Sequence, residues 1–411
     1  MIVTVTPNPA LDLTWHVASL SVGDTHRAEA GQARAGGKGL NVARVAHAQG
    51  ADVLAISTTG GTTGAEFAAE LASSRVPHVL VPVEASTRRS IALVDEALGD
   101  TTIVNERGVA PSDAEWQTLR DAVARALGDP GAPGRGAAAS GGDAETSGRG
   151  DTRGADTPDV GRIPREGPTS GVSAPDPDAL GEPGAPGRAG VLVISGSLPP
   201  GIPDDALADL IRLGRDAGAI VIADTSGPAL LAAADAGASV LKPNEHELRD
   251  ATGLDDPVDG ARELIRRGAR LVLLSLGAEG MLAVTPSASG DVDVLHARLG
   301  KTLAGNPTGA GDAAVAACAV LMDAGIHDPA QILRRATAWS AAAVLMPLAG
   351  EIHPSWPDLE TALTIAARSA SPTATGETSV PARDVPPHVP SHAAEEVSPE
   401  LPSAPHLKET R

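Results

Sequence analysis

The chain holds one cysteine, one phenylalanine, four tryptophans and no tyrosine in 411 residues. A lone cysteine excludes an internal disulfide framework and points to a reducing compartment. Cys318, on the apolar face that follows Asp312, reads as a small core residue. Few stacking aromatics and a formal charge of −20 argue against a general nucleic-acid binder. No apolar run approaches membrane-spanning length, and no basic stretch precedes the apolar Ile2-Val3. A cytoplasmic protein with neither a membrane nor a nucleic-acid partner is expected.

Glycine and proline are plentiful, and residues 129–189 combine them with Ala, Asp and Arg without a periodic apolar face. That composition predicts a disordered insertion, and the tail 371–411, rich in Pro, Ser, Ala and Glu, is expected to be disordered too. The rest, 1–128 and 190–370, suffices for one core of roughly 300 residues.

Residues 2–6 read as a buried strand ending at Pro7-Asn8-Pro9, with Asp12 at or before an alternating Leu13–Val17, expected at a sheet edge. A strand-like piece at 26–34 leads into Ala35-Gly36-Gly37-Lys38-Gly39-Leu40-Asn41, and a helical pattern runs from Asn41 to Gly50. A strand at 52–57, a helix through Leu71, alternating strands at Arg89–Val94 and Thr101–Asn105, and a helix from Ser112 to Leu127 follow. Ser112 and Glu115 have capping-box spacing. Beyond the insertion, strands at 191–194, 219–223, 239–241 and 271–275 alternate with helices at 204–217, 227–235 and 258–267. Strands near 281–285 and 292–295 and helices at Asp312 and Ala336–Met346 complete the pattern. This βαβα repetition predicts an α/β fold with a doubly wound, mostly parallel sheet and helices on both faces. Ligands bind such sheets off the carboxyl ends of the strands, where Ser195–Ser197, Asp224–Ser226, Lys242–Glu247 and Ser275–Gly280 all fall.

Gly305-Asn306-Pro307-Thr308-Gly309-Ala310-Gly311-Asp312-Ala313 runs straight into an apolar helical pattern, with the helix expected to begin near Asp312. Unpaired N–H groups and the positive end of the helix dipole would face the loop and favour a phosphate or a developing anion. Asp312 could simply cap the helix. Small residues and a proline before it suggest more, a base beside an anion hole, which hydroxyl-to-phosphate transfer needs. Gly36-Gly37-Lys38-Gly39 is no Walker A loop, since a glycine follows the lysine where Ser or Thr would ligate magnesium. By itself it is either a phosphate loop or a flexible turn. The adjacent Arg88 and Arg89 could equally be solvated charges.

Thr6-Pro7-Asn8-Pro9-Ala10-Leu11-Asp12, Gly36-Gly37-Lys38-Gly39-Leu40-Asn41-Val42-Ala43, Ser195-Gly196-Ser197-Leu198-Pro199, Lys242-Pro243-Asn244-Glu245-His246-Glu247 and Gly309-Ala310-Gly311-Asp312 together resemble the PfkB (ribokinase-like) carbohydrate kinases. Within that family the chain is most similar to the branch of 1-phosphofructokinases and tagatose-6-phosphate kinases. The resemblance implies ATP- and magnesium-dependent phosphorylation of a phosphorylated ketohexose, D-fructose 1-phosphate to D-fructose 1,6-bisphosphate, with tagatose-6-phosphate kinase and 6-phosphofructokinase as alternatives. It makes Asp312 the base and the N–H groups of Gly309, Ala310 and Gly311 the anion hole. Asp12, Gly36, Gly37, Asn41, Ser90, Asn105 and Ser195 would hold the sugar, with Lys38 and Arg88 on its phosphate. Lys242, Asn244, Ser275, Leu276, Gly277, Ala278, Glu279 and Gly280 would line the nucleotide, and Asn244 and Glu247 would organise magnesium through water. The strands near 12–17, 26–34, 89–94 and 101–105 would form a small β-sheet lid, often also the homodimer surface. One departure is Arg89-Ser90-Ile91-Ala92, where this branch more often carries Asn at the second and Lys at the fourth position.

Two other classes fit parts of the sequence. Gly309-Ala310-Gly311-Asp312-Ala313-Ala314 matches the G-x-G-x-x-A fingerprint of an NAD-dependent dehydrogenase, but Asp312 would repel a pyrophosphate. A non-catalytic sugar-phosphate sensor would share the fold, but would not need Asp312 with Asn244 and Glu247.

Overall fold

The computed structural model describes residues 1–128 and 190–368, so the segments expected to be disordered lie outside the described residues. The first half runs β1 (Ile2–Thr6), β2 (Ala10–Val17), β3 (Gln32–Gly36), α1 (Lys38–Ala48), β4 (Val53–Thr59), α2 (Gly61–Ser73), β5 (His78–Pro82), β6 (Arg88–Asp95), β7 (Asp100–Asn105) and α3 (Asp113–Ala126). The second runs β8 (Val191–Ser195), α4 (Ala206–Asp216), β9 (Ile220–Asp224), α5 (Pro228–Asp235), β10 (Val240–Leu241), α6 (Glu245–Thr252), α7 (Pro257–Arg267) and β11 (Leu271–Ser275). It ends with β12 (Met281–Pro286), β13 (Val292–Arg298), α8 (Ala310–Asp323), α9 (Pro329–Val344), α10 (Trp356–Ala362) and β14 (Thr364–Ala367).

The main sheet has the order β14-β13-β12-β11-β10-β9-β8-β1-β4-β5, parallel from β5 to β11 and antiparallel beyond. Its central strands β8, β9 and β11 are nearly continuous apolar runs because both faces are covered. Successive side chains point to opposite faces. Ile2, Val191, Val193, Ile220, Ile222, Leu271 and Leu273 therefore join the core with α1, α2, α8 and α9. Val3, Val5, Leu192, Ile194, Val221, Val272 and Leu274 join the core with α3 to α7. The chain winds outward from β1 in both directions, so β1 and β8 flank a switch point where their carboxyl ends open a crevice.

A second, four-stranded sheet of order β3-β2-β6-β7 stands apart as the lid. β2 pairs with both β3 and β6, so the edge placement expected for Leu13–Val17 is wrong. Alternation reports one covered face, not the number of neighbouring strands. Of the 26–34 segment only 32–34 is strand, the start of β3, which runs on to Gly36, and α1 and α8 each begin earlier than expected, at Lys38 and Ala310. Ser112 and Glu115 do form a reciprocal capping box on α3.

Candidate active site

Two clefts, of about 650 Å³ and 590 Å³, meet at the first turn of α8. Gly309 caps this helix at φ 84°, and a Cβ there would come within 2.8 Å of the Ala349 backbone, so only glycine fits. Asp312, in the first turn, lines the first cleft and is only 6% exposed. Burial, and after it the Asp224 charge, push its carboxyl up to about 6, against Lys38, the Asn41 amide and Lys242. Nδ2 of Asn41 donates to Oδ2 of Asp312 at 2.8 Å. Of the expected anion-hole donors, Ala310 N–H is already engaged by the Pro307 carbonyl at 3.2 Å, closing the turn into the helix. Those of Gly309 and Gly311 have no protein acceptor among the described residues.

Asp12, Gly37, Lys38, Asn41, Arg88, Ser90 and Asn105, all expected at the sugar, line the first cleft with Asp312. Asp12 faces Ser90 across the β2–β6 pairing. Burial raises its carboxyl to about 6, with Arg88 opposing and Asp312 adding to the rise. Gly36 and Ser195 do not line the cleft. A Cβ on Gly36 would lie 1.9 Å from Oδ2 of Asp12, so this glycine makes room for the Asp12 carboxylate. Ser195 is fully buried and donates to Oδ2 of Asp224 at 3.1 Å, one layer behind the cleft.

Sequence reasoning placed Asp224 in a polar cluster at the ligand end of the sheet but gave it no role of its own. This residue ends the buried run Ile220–Asp224, and a wholly buried carboxylate there requires partners. Nζ of Lys242 lies at 3.4 Å and Nζ of Lys38 at 3.5 Å. Burial alone would raise the Asp224 carboxyl, but the two lysines and Ser195 hold it below the ordinary value. Asp224, in turn, holds the Lys38 ammonium above the ordinary lysine value, with Glu247 at 3.7 Å assisting against burial. Lys38 was expected at the sugar's phosphate. It lines both clefts, on the wall between them.

Lys242, Asn244, Ser275, Gly277, Ala278 and Gly280 line the second cleft, with Ala310 and Gly311 at the end that meets the first. Leu276 and Glu279, expected with them, do not. The 3-10 turn Gly277–Glu279 sends Leu276 into the core with α7, and the Glu279 carbonyl faces His296 at 2.7 Å. Asn244 and Glu247 form a reciprocal cap on α6, at 2.8 Å and 3.0 Å, which leaves Oε1 of Glu247 toward Lys38. No cluster of three metal-ligating side chains exists among the described residues. One available carboxylate oxygen fits a magnesium ion that keeps its waters and takes its other ligands from substrate phosphates.

Two clefts joined at a buried carboxylate, on a doubly wound sheet with a separate lid, define a ribokinase-like group-transfer enzyme. The chain belongs to the pfkB family of carbohydrate kinases, which matches residues 7–127 and 184–356. Such enzymes are phosphotransferases acting on an alcohol group, and so is this one. It is 32% identical over 370 residues to a 1-phosphofructokinase of Haloferax volcanii, covering 89% of this chain and 96% of that one. A 1-phosphofructokinase of Xanthomonas campestris is 31% identical over 348 residues, 82% of this chain and 89% of that one. An ATP-dependent 6-phosphofructokinase isozyme 2 of Mycobacterium tuberculosis is 30% identical, covering 79% of this chain and 78% of that one. Among solved structures, phosphofructokinase-2 of Escherichia coli in complex with fructose-6-phosphate superposes with a TM-score of 0.66 at 26% identity, over 88% of this chain and 98% of that one. No helix among the described residues is long and apolar enough to cross a membrane.

Proposed function

We propose that the protein is a 1-phosphofructokinase, transferring the γ-phosphoryl group of ATP to the free terminal hydroxyl of D-fructose 1-phosphate. The observation that carries this reading is Asp312, a buried carboxyl pushed up to about 6 where the two clefts join. A base with that pKa is ionised at neutral pH yet basic enough to take a hydroxyl proton. Asp312 accepts the proton as the sugar oxygen bonds to the γ-phosphorus, and the bond to the departing ADP oxygen breaks. Gly309 and Gly311 N–H groups and the α8 dipole offset the charge on the transferring group. Asp12 and Asn41 hold sugar hydroxyls, and Lys38 sits between donor and acceptor. The second cleft takes ATP, its wall of Met281, Leu299, Leu303 and Val344 suiting an adenine ring. Magnesium, held by Glu247 through water, would supply charge neutralisation on the ATP phosphates.

In the cell we expect a cytoplasmic homodimer joined through the lid, because β7 is exposed along its whole length, Ile103 and Val104 included. Light scattering that found only active monomers would contradict the dimer.

ADP release with fructose 1-phosphate, fructose 6-phosphate, tagatose 6-phosphate and free fructose, side by side, tests the reading. The highest kcat/KM is expected with fructose 1-phosphate. A preference for fructose 6-phosphate would make the chain a 6-phosphofructokinase, the reading favoured by its likeness to the mycobacterial relative. No turnover of any phosphorylated sugar would refute both.

A further inference from the structure

We infer that Arg107 is the cation that binds the phosphate already carried by the sugar, and so sets the preference for a phosphorylated over a free acceptor. This rests on the sugar-phosphate kinase reading above. Three cationic side chains line the first cleft among the described residues, Lys38, Arg88 and Arg107. Two are already committed. Nζ of Lys38 lies between the carboxylates of Asp224 and Glu247, at 3.5 Å and 3.7 Å, so its charge is already paired before substrate arrives. Arg88 uses its guanidinium on backbone, with Nε and Nη2 each 3.3 Å from the Asn8 carbonyl and Nη1 3.0 Å from that of Glu106. Its remaining charge faces Asp12. Arg88 therefore fastens the lid to the turn after β1.

Arg107 differs in being held by its backbone alone. Nδ2 of Asn8 donates to the Arg107 carbonyl at 3.1 Å and to Oγ of Ser197 at 3.2 Å, tying the loop after β7 to the loop after β8. The Arg88 contact to Glu106 pins the preceding residue. The root of the Arg107 side chain is thus fixed on the cleft wall, while its guanidinium makes no hydrogen bond or ion pair among the described residues. All its N–H donors remain available, in the planar fork that matches phosphate oxygens. Charge points the same way. Asp12, Glu106, Glu247 and Asp312 line this cleft, and a doubly charged phosphate entering beside four acidic groups needs a cation they have not already neutralised.

Steady-state kinetics of Arg107→Ala and Arg107→Lys, with fructose 1-phosphate and free fructose as acceptors, test the assignment. For Arg107→Ala, KM for fructose 1-phosphate should rise about ten- to a hundredfold with kcat within about threefold, as loss of a charge-assisted phosphate contact predicts. The preference for fructose 1-phosphate over fructose should fall by the same factor, and Arg107→Lys should restore part of it. KM for ATP should stay where it was. If wild type turns over fructose 1-phosphate and Arg107→Ala leaves its KM and preference intact, the assignment is overturned. An equal rise in both acceptors' KM, or a rise for ATP alone, overturns it as well. A wild type inactive on every phosphorylated sugar would instead defeat the kinase reading beneath it.

Discussion

The side-chain amide of Asn41 donates to Asp312 at 2.8 Å, out of solvent, and so ties the start of α1 to the start of α8. That hydrogen bond favours the ionised carboxylate and restrains a pKa that burial has raised to about 6. Removing it in Asn41→Leu raises the pKa further, so the base stays protonated to higher pH. Wild-type kcat/KM should climb through about pH 6, and the variant's climb should move toward about pH 7. An unmoved profile would show that Asn41 does not tune Asp312.

The same raised pKa has a consequence for stability. A carboxyl that titrates near 6 when folded and near 3.8 when unfolded binds its proton more tightly in the native protein. Its favourable contribution is complete below about pH 4 and is lost as pH rises through about 6, leaving the ionised group a burden at neutral pH. Asp312→Asn should therefore be at least as stable as wild type at pH 8, by up to about 2 kcal/mol, with a smaller difference at pH 5. Thermal midpoints at the two pH values check this. A variant markedly less stable at pH 8 would contradict it.

Glu70 anchors the root of the lid. One of its oxygens accepts from Nη2 of Arg44 at 2.6 Å and from the N–H of Ala35, in β3, at 2.7 Å. Arg44 is only 8% exposed, so Glu70→Ala would strand a buried guanidinium and an amide together. A loss of about 3 kcal/mol in urea unfolding is expected, most of it recovered in Glu70→Ala/Arg44→Met. A loss below about 1 kcal/mol in the single variant, a value typical of exposed pairs, would contradict a latch.

Much of the α/β alternation was legible because buried strands such as Val191–Ser195 are unbroken apolar runs and their helices carry apolar stripes. α6 was not legible as a helix. It buries Leu248 alone, and its signal, Asn244 with Glu247, is equally that of a ligand pair. β14 is a short, mostly exposed last strand of the sheet with little pattern to betray it. At the site, Asp12, Lys38, Asn41 and Asp312 share one cleft, since local backbone places residues that lie near a motif glycine or aspartate. The Asp224 network was hidden because Lys38, Ser195 and Lys242 reach it from separate parts of the chain. Leu276 and Glu279 do not line the second cleft because adjacent residues of a tight turn face different ways.

Replacing residues 131–188 with a short Gly/Ser linker should leave turnover close to that of the full chain. The described ends show where that segment attaches. Gly190 N–H donates to the Met1 carbonyl at 3.0 Å, and the Met1 ammonium pairs with Asp323 at 2.8 Å, in the last turn of α8. At 1.5 Å per residue that end lies about 16 Å along the helix from Asp312. Steady-state kinetics on the folded deletion check this, and a large loss of kcat would refute it.

The most direct measurement is kcat of Asp312→Asn beside its thermal midpoint, on one preparation. Asn fills the same space, and its side-chain oxygen can still accept from Nδ2 of Asn41, so a structural role survives while the base is lost. The account predicts kcat down by roughly 10²–10⁴-fold with KM for ATP and fructose 1-phosphate little changed. A folded Asp312→Asn protein keeping more than about a tenth of wild-type kcat would contradict it, because removing a general base costs far more than that.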